Sequence, residues 1–150
     1  MGYEQPIAGG PASIPCGFGT WALGATDWGP IDTGHAKSVL RRAWERGFRH
    51  FDTAESYGNG RSEQLVAQAL RPELRSRREE VEIATKSVVR PPDSLVRHLE
   101  RSLRRLGIDY VDTYYIHWPR QGIDLAAAVE ALEGARQRGL LRRIGLANVS

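Results

Sequence analysis

Cysteine is almost absent: Cys16 is the only one in 150 residues. That excludes an intrachain disulfide and any metal site assembled from several cysteines, and no other metal-binding pattern is expected. Lysine is scarce too. Of the 21 basic residues, all but Lys37 and Lys86 are arginine. No apolar run approaches the roughly 20 residues that a membrane-spanning helix needs. The start, Met1 to Pro6, lacks the basic and apolar regions of a secretion signal, so a reducing cytoplasm is the expected compartment. The formal charge of +3 is mild. Its arginines fall in helix-like stretches such as "RHLERSLRRLG" and "LRSRREE", mixed with glutamate, which reads as solvated helix surface. A one-sided basic stripe with interleaved aromatics is missing, and with it any expectation of a nucleic-acid partner.

What is present suits one globular unit with a real core: 41% of residues are hydrophobic and 26% charged. Strand-like runs at 16–20 ("CGFGT"), 49–53 ("RHFDT"), 81–86 ("VEIATK"), 110–117 ("YVDTYYIH") and 142–148 alternate with helical patterns. The segment 35–47 puts Ala36, Val39, Leu40, Ala43 and Trp44 on one face and stops at Gly47. The segment 93–107 carries Leu95, Leu99, Leu103 and Leu106 and stops at Gly107. A third opens at Asp124 and stops at Gly139, and "SEQLVAQAL" (62–70) makes the shortest helix. Asp at a helix start offers an acceptor to orphan N–H groups, and Gly at the end takes the left-handed turn.

The strand ends, Thr20, Thr53, Lys86, His117 and Asn148, are spaced by 33, 33, 31 and 31 residues. That rhythm is a β/α repeat, and right-handed crossovers make its strands parallel. The first strand leads into "GTWALGATDWG" rather than a glycine loop opening onto a helix, so the dinucleotide fingerprint of an open doubly wound sheet is missing. The reading is an α/β chain folded as a (β/α)8 barrel, represented by its first five strands and four intervening helices. A closed barrel takes about 250 residues. Residues 16–150 are therefore expected to be an incomplete barrel, with apolar interior side chains and two strand edges free to self-associate.

Barrel sites lie at the C-terminal ends of the strands. Asp52 ends the second strand, Tyr57 follows in its loop, Lys86 ends the third and His117 the fourth. Singly, each has an ordinary explanation: a turn acceptor, a loop aromatic, a solvated strand end, a packing histidine. Together they share one rim, and their chemistry coheres. An unperturbed phenol, with a pKa near 10, is a poor acid at neutral pH. A neighbouring ammonium lowers that value, an aspartate holds the ammonium, and a histidine can polarise a carbonyl oxygen. The missing piece is a hydride, which no side chain carries and a nicotinamide cofactor does.

At these residues the sequence resembles the aldo-keto reductase family. The segments are "GFGTWALG", "GFRHFDTAESYG", "IATK", "YIHWP" and "RRIGLANVS", in the family's order and spacing. The loop "YGNGRSEQL" is most similar to the branch of bacterial reductases and potassium-channel β-subunits. The resemblance implies NAD(P)H-dependent reduction of an aldehyde or ketone, with NADPH as cofactor and NADH not excluded. It implies Tyr57 as general acid, Lys86 lowering its pKa, Asp52 supporting Lys86, and His117 orienting the carbonyl. It places Gly19, Thr20 and Trp21 beneath the nicotinamide with Asp52 nearby, and Asn148 on its carboxamide. Ala147 stands where the family commonly has serine. Trp21, Trp28 and Trp118 are the expected substrate-pocket aromatics, and residues 1–15, with "PIAGGPASIP", resemble the hairpin that plugs the barrel bottom. Members of the family that act mainly as cofactor-binding subunits supply the alternative function, and an inactive barrel piece a third.

Overall fold

The structure, a computed structural model, describes residues 15–24, 29–88, 91–118, 122 and 124–149. Apart from Pro15, the expected N-terminal hairpin lies outside the described residues, as does Trp28. In chain order the elements are β1 (Phe18–Gly19), α1 (Trp21–Gly24), α2 (Thr33–Glu45), β2 (His50–Asp52), α3 (Arg61–Ala69) and α4 (Arg71–Ser76). A 3₁₀ turn at Arg78–Glu80 leads to β3 (Glu82–Ser87), followed by α5 (Pro92–Leu106), β4 (Val111–Ile116), α6 (Leu125–Gln137) and β5 (Leu141–Leu146).

The five strands form one sheet in the order β1-β2-β3-β4-β5, every pair parallel. This is the N-terminal part of a (β/α)8 barrel, with the β/α rhythm expected from the sequence. Asp52 pairs with Ala84, Ala84 with Thr113, Lys86 with Tyr115, and Tyr115 with Gly145. Because successive strand side chains alternate faces, Phe51, Ile83, Tyr114 and Ile116 go to the helix side and are fully buried there. They meet the apolar stripes of the helices: Ala36 and Leu40 from α2, Leu65 and Val66 from α3, Leu95 and Leu99 from α5, and Leu132 from α6. Truncating such a fully buried leucine to alanine costs about 2–5 kcal/mol.

Caps explain three of the helix boundaries. Asp32 accepts a hydrogen bond from the His35 N–H at 2.7 Å and so starts α2 two residues before the expected segment. Asp124 does the same for α6 through the Ala127 N–H at 3.0 Å. Gly107 ends α5 with φ of 66°. Four of the five strands come out shorter than expected, most of all β1, while β3 keeps its six residues shifted by one. Two short helices, α1 and α4, are absent from the sequence reading, so 62–70 is not the shortest helical segment. Pro72 in the first turn restarts the chain as α4 directly after α3. With Leu74 as its main apolar residue, that helix has no periodicity to betray it.

The inner face of the sheet corrects a larger expectation. In place of an apolar patch it carries His50, Asp52, Glu82, Lys86, Thr113, Tyr115 and Arg143. Glu82 pairs with His50 at 3.1 Å and with Arg143, whose Nε donates to Thr113 Oγ1 at 3.1 Å. The exposed large apolar side chains among the described residues are Trp21, Trp118, Leu146 and Val149. All four lie at or just beyond the C-terminal ends of strands.

Candidate active site

The loop after β2 is held before any side chain acts. Ladder-like hydrogen bonds continue past the strand: the Thr53 N–H donates to Ala84 O at 2.9 Å and the Glu55 N–H to Lys86 O at 3.1 Å. The chain then turns, with the Tyr57 N–H donating to Ala54 O at 3.2 Å, and Tyr57 O accepts from the Ser62 N–H of α3. Gly58, Asn59 and Gly60 all take positive φ. At Gly58 even a methyl group is excluded, since a Cβ would sit 2.0 Å from Gly24 O. This close approach locks α1 to the Tyr57 loop and had no signature beyond the glycines themselves.

Three of the four expected catalytic residues come from strands or their ends. Asp52 is the last residue of β2, Lys86 the next-to-last of β3, and His117 directly follows β4, its N–H donating to Ser87 O at 2.7 Å. Lys86 is 7% exposed. Its ammonium donates to both Asp52 oxygens, at 2.7 and 2.6 Å, and to Thr53 O at 3.0 Å. The same Nζ lies 5.1 Å from the centroid of the Tyr57 ring, within cation–π range. Tyr57 and His117 stand edge to face with centroids 6.1 Å apart. The structure thus brings Asp52, Tyr57, Lys86 and His117 together.

The electrostatics depart from the sequence expectation at one point. The Tyr57 phenol is pushed up from its ordinary value, first by burial and then by the Asp52 charge, rather than down by Lys86. Burial disfavours the phenolate most, and Asp52, which grips the ammonium with both oxygens, adds its own negative charge beside the phenol. His117 moves the other way, pushed down by burial and by Lys86 against the opposing pull of Asp52. It is therefore a neutral imidazole at pH 7, with one ring N–H able to donate. Its Nδ1 is buried without a hydrogen-bond partner among the described residues.

The expected cofactor residues divide. Gly19 is exposed at the end of β1, and a Cβ there would meet nothing within 4 Å. Trp21 is half exposed and faces Tyr57, with ring centroids 6.4 Å apart. Asn148 takes the left-handed conformation that asparagine tolerates, and its Nδ2 donates to His117 O at 2.7 Å. Its Oδ1 and second N–H can still serve a carboxamide. Thr20 does not fit the expected role through its side chain. Its buried hydroxyl donates to Asp52 O at 2.9 Å and lies 2.6 Å from Ser62 Oγ, so it braces the strand end from behind. Trp118 is half exposed and stacks on His117 at 5.7 Å. Trp21 and Trp118 therefore flank the cluster.

Sequence reasoning passed over the residues that hold this rim from below. Thr53 Oγ1 donates to Ser62 Oγ at 2.9 Å, joining the Thr20 bonds in a buried hydroxyl cluster. Glu63, fully buried, accepts from Thr85 Oγ1 at 2.8 Å and from Arg105 at 3.0 Å. No local pattern marks a glutamate in the first turn of a helix as buried; its partners come from 22 and 42 residues away.

Five parallel strands with crossover helices, and a polar cluster on their C-terminal rim, define a barrel-type α/β protein. The model of the aldo/keto reductase family matches residues 15–150, and the chain belongs to that family. It is 35% identical to Aldo-keto reductase YhdN of Bacillus subtilis (strain 168), over 100% of this chain and 48% of that protein. Among solved structures it is similar to the thermostable aldo-keto reductase Tm1743 in complex with the inhibitor epalrestat. There the identity is 35% and the TM-score 0.83, covering 99% of this chain and 54% of that one. An aldo/keto reductase from Klebsiella pneumoniae in complex with NADP and acetate matches at 34% identity and a TM-score of 0.78, covering 89% of this chain and 45% of that one. The chain spans about half the length of the relatives it matches.

Proposed function

We propose that the protein carrying this chain is an NADPH-dependent carbonyl reductase that converts aldehydes or ketones to alcohols. The observation that supports this most is the convergence of Asp52, Lys86, Tyr57 and His117 on one strand-end rim. A nicotinamide cofactor, when bound, supplies the hydride that the carbonyl carbon accepts. Gly19 without a side chain, the half-exposed Trp21 and the exposed amide of Asn148 would hold the nicotinamide end. The NADP in the Klebsiella relative favours the phosphorylated cofactor.

The chain's own residues then manage one proton. His117, neutral, donates a hydrogen bond to the carbonyl oxygen and fixes its place. Tyr57 gives its phenolic proton to that oxygen as negative charge develops there. Its raised pKa keeps the proton in place until the reaction demands it. The phenolate left behind stands beside the Lys86 ammonium, which Asp52 holds in place. Trp21 and Trp118 suit a substrate with an apolar or aromatic body.

The test is Tyr57→Phe in the complete protein, followed by loss of NADPH absorbance with an aromatic aldehyde. Turnover should fall at least ~10²-fold, the usual scale of general acid catalysis, with cofactor affinity retained. Turnover within a few-fold of the parent refutes the acid assignment. Tight NADPH binding with no oxidation by the parent protein refutes the enzyme reading in favour of a cofactor-binding subunit.

A further inference from the structure

Between Asp52 and Tyr57 lies a carboxylate that the chemistry above does not use. Glu55 is buried. One oxygen, Oε1, accepts a hydrogen bond from Ser87 Oγ at 2.5 Å, and the other, Oε2, meets Nδ1 of His98 on α5. Its backbone N–H donates to Lys86 O. Glu55 therefore ties the loop to three places at once: the main chain of Lys86, the side chain of the residue after it, and the helix packed behind the sheet. Ser87 and His98 lie 32 and 43 residues away in sequence.

Burying a carboxylate is costly even when it is paired, and an apolar side chain of similar size often stabilises a fold as well or better. What the charged, bidentate arrangement adds is direction. Each oxygen is engaged by a different element, so the loop can neither slide along β3 nor lift from α5 without breaking a buried hydrogen bond. Two residues further on the chain presents Tyr57, whose ring must stand over the Lys86–Asp52 pair to hand its proton forward. Misplacing a reacting group by about 1 Å can cost ~10²-fold in rate.

We propose that Glu55 is a positioning residue: bridging Ser87 and His98, it sets the place of the Tyr57 phenol above Lys86. The proposal rests on the reading of Tyr57 as proton donor. In the complete protein, Glu55→Ala should lower kcat about tenfold while leaving KM for NADPH within about twofold. Glu55→Gln, which keeps the shape and can still hydrogen-bond both partners, should recover most of that loss. His98→Gln, which alters only the α5 end of the bridge, should lower kcat about threefold.

Amide hydrogen exchange supplies a readout independent of turnover. In Glu55→Ala the amides at positions 55 and 57 should exchange at least ~10-fold faster, while those of β4 and β5 stay as in the parent. Turnover within twofold of the parent, a glutamine variant no better than alanine, or exchange rising equally throughout the sheet would each overturn the proposal. Tyr57→Phe, measured alongside, separates the two readings. If it keeps full turnover the acid assignment fails by itself, and unchanged exchange at residues 55 and 57 then decides against the bridge.

Discussion

Replacing Lys86 with methionine removes the centre of the candidate site and nearly preserves its volume. Lys86 Nζ lies 2.6–2.7 Å from both oxygens of Asp52, and the two side chains are 9% and 34% exposed. For unit charges about 4 Å apart at an effective dielectric of about 20, attraction amounts to about 4 kcal/mol. Breaking a buried pair by deleting one partner costs about 3–5 kcal/mol, because the other charge is stranded. Asp52 is a third exposed and water can reach it, which brings the expected cost down to about 2–3 kcal/mol. For a chain of this size that lowers Tm by about 4–12 °C. Urea or thermal unfolding of the 150-residue chain measures it. The double variant Lys86→Met/Asp52→Asn should be less destabilised than Lys86→Met alone, since no charge is stranded. A loss under about 1 kcal/mol in the single variant, or a double variant that loses more than the single, would refute the reasoning. In the complete protein Lys86→Met should also abolish most turnover, and Lys86→Arg should restore little, since a planar guanidinium does not occupy the same point.

Two further outcomes follow from the geometry. Gly58→Ala forces a side chain into the left-handed region and against Gly24 O, at about 1–2 kcal/mol for the conformation and about 1–3 for the overpacking. Gly107→Ala, also left-handed but with nothing within 4 Å of the added Cβ, should cost the conformational part alone, and equal losses in urea unfolding would argue against the contact. His50 and His117 are both pushed below their ordinary value of 6.5, chiefly by burial. A group whose pKa is depressed by folding contributes stability above its unfolded value and loses it as pH falls through the folded one. Stability should therefore decline from about pH 6.5 downward, before most carboxylates titrate. The double variant His50→Gln/His117→Gln should flatten that slope, and a parent with equal urea midpoints at about pH 7.5 and about pH 5.5 would contradict the argument.

The β/α alternation, the parallel sheet and the rim cluster were legible in the chain because each rests on local pattern. Leucines at 95, 99, 103 and 106 make a helix face wherever the helix lies. Strand ends 31–33 residues apart put Asp52, Lys86 and His117 on one rim without knowledge of any contact. What only the tertiary structure decided concerns partners distant in sequence. Nothing near Tyr57 reveals the burial that moves its phenol up where the isolated motif suggested down, nor that Asp52, gripping Lys86 with both oxygens, adds to that shift. Thr20 sits in a segment that suggested cofactor contact, yet its hydroxyl turns to Ser62 and the strand behind. The inner face is polar because His50, Glu82, Thr113 and Arg143 converge from four strands, and no one strand displays that layer. Periodicity determines which way a side chain points; the energy of a charge or a hydroxyl depends on what meets it there, and in this fold that comes from other strands and helices.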